Sequence, residues 1–176
     1  VSNTEAADLL AEAVLPDNLA SLLGSNPRAR RVAEQNFREA RSLAEADLAA
    51  GATDWVPHAI VALCSNYPKE KERVLPAAQQ AVQLLPPGDT SWNAYAVLSV
   101  FADHKRQAIR SAAEAGQRWP QEWLSEAQST YAVLAQHPLS TDAEVARQYD
   151  FLIRLRAIAP ADRVLKQGLE RCPTSW

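Results

Sequence analysis

Six positions in the middle of this chain recur at a spacing of 34 residues, and no other feature limits its fold as strongly. His58, Ala62, Val74, Ala78, Ala81 and Pro86 are followed one period later by Trp92, Ala96, Ala108, Ala112, Ala115 and Pro120. Four of the six pairs keep the same residue. A period of this length, with small residues at fixed places and a proline closing each unit, is what stacked helix pairs need, because one pair alone leaves an apolar face uncovered. Composition agrees. The 176 residues include only 5 Gly, Ala-rich stretches dominate and β-branched runs are rare, so propensity favours helix along nearly the whole chain. A chain of this size also buries a core without metal or disulfide staples.

Caps and breakers divide the sequence into about ten helices. Ser2 and Glu5 have capping-box spacing ahead of Ala6, Leu9, Leu10 and Val14, which predicts a helix over 3–14. A short one follows at 17–24. Asn26-Pro27 opens a long helix to about 50, with Ala33, Phe37, Ala40, Ala44 and Leu48 on one side and Gly51 as its stop. Asp54 caps a helix over 55–66, Tyr67-Pro68 breaks it, and its partner spans 69–85. The next pair is expected to copy this plan, with Asp89 or Thr90 capping a helix to 102 and Asp103 capping another that reaches Trp119-Pro120. An extra helix at 121–136 follows, then a helix over 142–158 with a Thr141/Glu144 capping box, and a last one over 160–171. The 12, 7 and 5 spacing of Ala62, Val74, Ala81 and Pro86 returns at Tyr149, Ala161, Gly168 and Pro173, a third occurrence of the rhythm.

These residues resemble the tetratricopeptide repeat family, whose unit is an antiparallel helix pair with a bulky residue early in its first helix, small residues at the crossing and a terminal proline. Trp92, Ala96, Ala108, Ala115 and Pro120 match best, and Ala62, Ala78, Ala81 and Pro86 match in the unit before. HEAT-like and other α-solenoid pairs share the pattern. The resemblance implies an all-α, right-handed array of antiparallel helix pairs forming one domain over 1–176: N-terminal helices to 54, repeats at 55–88 and 89–122, an extra helix over 123–140 and a final pair over 141–176. It further implies a non-enzymatic scaffold that binds a protein or peptide in a concave groove. Leu63, Asn66 and Tyr67 of one repeat, with Asn93, Val97, Val100 and Phe101 of the next, are the residues it would place there, beside Ala59. Family members that grip a terminal carboxylate carry Lys, Arg and Asn in this groove, whereas Ala59, Leu63 and Val97 stand here, so that clamp is not expected. A fainter resemblance, in texture, is to the soluble C-terminal regions of bacterial O-antigen polymerase or ligase-type membrane proteins. It implies an accessory domain of a cell-envelope glycan enzyme, with the bacterial cytoplasm and periplasm both open as compartments.

No chemistry-bearing motif stands against a binding role. His58, His104 and His137 lack a second ligand at i+3 or i+4, no phosphate loop or nucleophile elbow occurs, and no metal or cofactor is expected. A helical-bundle enzyme would need a site assembled by the fold. The net charge of −3, with Arg interleaved among Glu and Asp, argues against nucleic acid. No apolar run is long enough to insert in a bilayer. Arg28, Arg30, Arg31, Arg38 and Arg41 give the third helix a basic side, but Glu34, Glu39 and Glu45 lie at ion-pairing distance along it. Cys64 and Cys172 permit either one long-range disulfide or two buried thiols. Trp55 and Trp92 read as packing between repeats, while Trp119 and Trp123 either shield a junction or present an apolar patch. The absence of Met, with Val1 first, points to a processed or excised segment. The oligomeric state stays open.

Overall fold

The computed structural model describes residues 27–66 and 70–171. Among these, all regular structure is helical, in seven helices: α1 (Pro27–Ala49), α2 (Trp55–Asn66), α3 (Lys71–Leu84), α4 (Trp92–Glu114), α5 (Gln121–Gln136), α6 (Asp142–Arg154) and α7 (Ile158–Arg171). The helices expected at 3–14 and 17–24, together with Tyr67, Cys172 and Pro173, lie outside the described residues. The chain divides after Asp89 into two compact units, Val1–Asp89 and Thr90–Trp176.

In the first unit each helix packs on its neighbour in sequence. The expected stripe on α1 is the buried one, with Ala33, Phe37, Ala40 and Ala44 all in the core. Gly51 ends α1 as anticipated. Its φ of 92° is a left-handed turn that a side chain would strain, and the Ala52 amide reaches back to the Asp47 carbonyl at 3.0 Å. Where α2 meets α3 the echo residues do what their size allows: Ala62, Val74, Ala78 and Ala81 are fully buried, because closely crossing helix axes leave space for little more than a methyl group. Two ion pairs join α1 to the start of α3, Arg41 to Glu70 at 2.9 Å and Arg73 to Glu45 at 3.0 Å. Both pairs advance together along the two helices, so α1 and α3 run parallel, with α2 antiparallel to each.

Cys64 is a free thiol in this core. Burial pushes its pKa up to about 12, and the positive charge of Arg41 offsets that only in part. The folded unit therefore withholds the thiolate, and this contribution to stability, present below the ordinary value of 9.0, is lost as pH rises through about 12. In a Cys172→Ser background, Ellman's reagent at pH 8 is expected to label Cys64 only as fast as the unit opens, and quickly in denaturant. Equal rates in both conditions would place the thiol at the surface.

The second unit departs from the expected plan. Residues 92–114 form one continuous helix of 23 residues where a pair meeting at Asp103 was anticipated. The reason is local and visible in the sequence. The Tyr67-Pro68 breaker in the sequence corresponds one period later to Phe101-Ala102, and Ala102 supplies no break. The cap also differs. Ser91, rather than Asp89 or Thr90, accepts the Ala94 amide at 3.2 Å. The helix ends instead at Gly116, φ 66°, where the Gln117 amide returns to the Ala112 carbonyl at 2.8 Å. With no second helix before Pro120, α5 becomes the packing partner of α4 rather than an added element.

As a result, the echo in sequence is not an echo in burial. Trp92 is 38% exposed, Ala96 is buried, Ala108 and Ala112 are half-buried and Ala115 is exposed. Lys105 pairs with Glu126, and the Tyr95 ring lies near that of His137. These two contacts have almost equal residue-number sums, as an antiparallel α4–α5 hairpin requires. The Thr141/Glu144 capping box forms as anticipated and opens α6. That helix stops earlier than expected, at Arg154, by the same returning-amide turn as α1 and α4, here with Arg156 in the left-handed region at φ 57°. Pro160 then sits in the first turn of α7.

Candidate functional site

The residues expected to line a groove separate by depth. In the first unit Ala59 and Leu63 are buried core residues of α2, Asn66 is exposed at its C-terminal end, and Tyr67 is not described. In the second unit Val97 and Phe101 are core residues of α4, whereas Asn93 and Val100 are half-buried. Helical angle alone does not separate them: at 100° per residue Asn93, Val97, Val100 and His104 fall within about 60° of one another, with Phe101 about 40° beyond Val97, so the packing around α4 sets which are covered. His104 continues the accessible stripe, also half-buried.

Another side of α4, roughly opposite Val97 and Phe101, holds a second feature that the sequence reading missed. Tyr95, Ser99, Asp103 and Arg106 follow at steps of four, four and three, so α4 presents them on one side. Tyr131 of α5 and Glu144 and Arg147 of α6 meet them. Glu144 is nearly buried and accepts the Thr141 amide at 2.8 Å, the Thr141 hydroxyl at 2.7 Å and Arg147 at 3.2 Å. Asp103 lies 3.3 Å from Arg106 and 3.9 Å from Arg147. Two arginines thus balance two carboxylates, which is the condition for bringing charge between helices. Further along the hairpin the Lys105 ammonium, 3% exposed as a residue, contacts Glu126 at 2.6 Å. It also lies 5.4 Å from the Phe101 ring centre and 5.6 Å from that of Trp123. Trp123 therefore helps to cover a buried cation.

Titration couples the cluster. Burial alone would raise the Glu144 carboxyl, but hydrogen bonds from Thr141 and Tyr95 and the charge of Arg147 hold it below the ordinary 4.5. Burial pushes Tyr95 up to about 12, helped by its hydrogen bond to the Glu144 carboxylate and by that charge. Burial likewise raises Tyr131. The signs differ. Glu144 contributes stability above its unfolded value that is lost as pH falls through the lower folded one; Tyr95 contributes below 10.0 and loses it as pH rises through about 12. Tyr95→Phe is expected to be less stable than the parent by about 1–2 kcal/mol at neutral pH, with the gap closing above pH 10 as the phenol ionises in the unfolded chain while it stays protonated beside Glu144 in the fold. Melting curves of both proteins across pH test this, and a gap that stays constant to pH 12 contradicts it.

The carboxylates are neutralised by arginine and hydroxyl donors, and burial favours the protonated phenols of Tyr95 and Tyr131. Among the described residues no group of three or more His, Cys, Asp or Glu is placed to hold a metal ion, and no helix is long and apolar enough to cross a membrane. What remains accessible is the Asn93–Val100 stripe with Trp92 at the head of its helix. No protein-family model, no curated protein and no solved structure matches the chain.

Proposed function

We propose that the chain is a non-enzymatic helical scaffold that binds a protein or peptide partner, with the accessible side of α4 as part of the binding surface. The carrying observation is that α4 buries Val97 and Phe101 yet keeps Trp92 substantially exposed and leaves Asn93 and Val100 half-accessible beside the buried side. A large aromatic, an amide and a branched aliphatic together supply apolar area and a hydrogen-bonding group for an extended backbone. The ion-paired cluster on another side of α4, where it meets α5 and α6, supports this reading by fixing the helix so that the surface is preorganised. Leu63, Val97 and Phe101, being core, hold the helices in shape. In the first unit Asn66, exposed at the end of α2, is proposed as a separate contact residue, and Tyr67 lies outside the described residues.

The test is affinity capture from the source organism with the parent chain and with a Trp92→Ala/Val100→Glu variant, each partner identified and its binding then measured with purified components. The variant is expected to keep helical circular dichroism and melting behaviour while losing partner affinity by roughly a hundredfold, since central aromatic anchors carry most interface energy. Unchanged affinity would remove α4 from the surface. Replacing Phe101 instead would unsettle the core and would not separate binding from folding.

A further inference from the structure

The final helix carries an apolar arc wider than its neighbour covers. Ala161 and Gly168, both buried, mark the side of α7 that packs on α6. On the adjoining side Ile158, Asp162, Leu165 and Leu169 fall within an arc of about 60° at 100° per residue. Ile158 is 55% exposed and Leu169 43% exposed, with Leu165 half-buried between them.

We propose that this ridge is a self-association surface on which a second copy of the chain docks through its own α7, running antiparallel. The arrangement of charge selects the occupant. Asp162 is exposed and stands within the apolar ridge, so a partner that covers the ridge must bring a cation to that point or leave a desolvated carboxylate. Lys166, one turn on and also exposed, lies on the flank beside it. A two-fold axis across the middle of the helix lays Ile158 over Leu169 of the second copy. It also sets Asp162 opposite Lys166 of that copy, twice by symmetry. Parallel docking carries the two flanks to opposite sides of the contact and loses both ion pairs. A helix of 14 residues covers less than the area of a standard stable interface, so the dimer is weak, with a dissociation constant on the order of 10–100 μM.

Sedimentation equilibrium of the full chain from low micromolar to millimolar concentration tests the proposal. The parent is expected to fit a monomer–dimer equilibrium. Asp162→Lys and Lys166→Asp are each expected to weaken it by roughly tenfold, because each sets like charges face to face. The double exchange Asp162→Lys/Lys166→Asp is expected to restore the parental constant, and Leu169→Glu to leave only monomer. All three substituted positions are exposed, and unchanged melting temperatures establish that the variants fold. A parent that stays monomeric throughout overturns the proposal, as does a dimer indifferent to the single exchanges. A monomer that instead binds anionic lipid vesicles through Ile158 and Leu169 assigns the ridge to a lipid surface and overturns it as well.

Discussion

Ala81→Arg is expected to destabilise the first unit by about 3 kcal/mol or more, whereas Ala115→Arg, its counterpart one sequence period later, is expected to change stability by less than about 0.5 kcal/mol. Ala81 has no exposed surface and sits where α3 crosses α2, so a guanidinium there must either force the helices apart or lose its hydration. Ala115 is the exposed C-cap of α4. An arginine at that end meets the negative end of the helix dipole and stays in water. Urea unfolding of both variants, followed by circular dichroism, decides the matter. Equal losses would show that the two 34-residue segments fold alike and that α4 breaks near Asp103 after all.

Glu126→Ala is expected to cost about 3 kcal/mol, and Lys105→Met distinctly less, although each removes one half of the same ion pair. The asymmetry comes from where the two charges sit. The Lys105 side chain is 4% exposed, so loss of Glu126 strands an ammonium among Phe101 and Trp123 with only the ring faces to attract it. Loss of the ammonium strands less, because the Glu126 side chain is 31% exposed and water can reach its carboxylate. Met preserves the apolar stem that fills the space between the rings. The double variant Lys105→Met/Glu126→Leu is expected to recover most of the Glu126→Ala loss, since a buried ion pair can be replaced by apolar groups of similar volume. Thermal melts of the three variants measure this. A Lys105→Met loss as large as that of Glu126→Ala would mean that the pair itself, not the isolated ammonium, sets the cost.

Both expectations start from a difference between repeat in sequence and repeat in structure. The positions of α1, α2, α3 and α5 were legible because their ends are written locally: Asn26-Pro27, Gly51, Tyr67-Pro68, Pro86-Pro87 and Pro120 are caps and breakers whose effect needs no distant partner. The capping box at Thr141 and Glu144 belongs to the same class. The end of α4 was written as well, in Gly116, but the 34-residue echo outweighed it and placed a break at Asp103. The polar cluster was harder to see. Tyr95, Ser99, Asp103 and Arg106 do fall on one face of a helix, but only if residues 92–114 are one helix, and nothing nearby in sequence announces that Tyr131 and Arg147 meet them.

The groove residues separate in the same way. Spacing alone puts Asn93, Val97 and Val100 within about 60° of one another on α4, so it does not tell which of them is covered; packing decided that Val97 and Phe101 are core while Asn93 and Val100 stay half-accessible.

The sequence by itself determined that this protein is helical and where most helices start and stop, because capping, proline and glycine act within one turn of the chain. Which helix lies against which, whether an alanine at a repeat position is buried, and where arginine and carboxylate meet were decided only by tertiary structure. Those outcomes depend on burying apolar surface and balancing charge between segments far apart in sequence, and a short period of recurring alanines does not specify either.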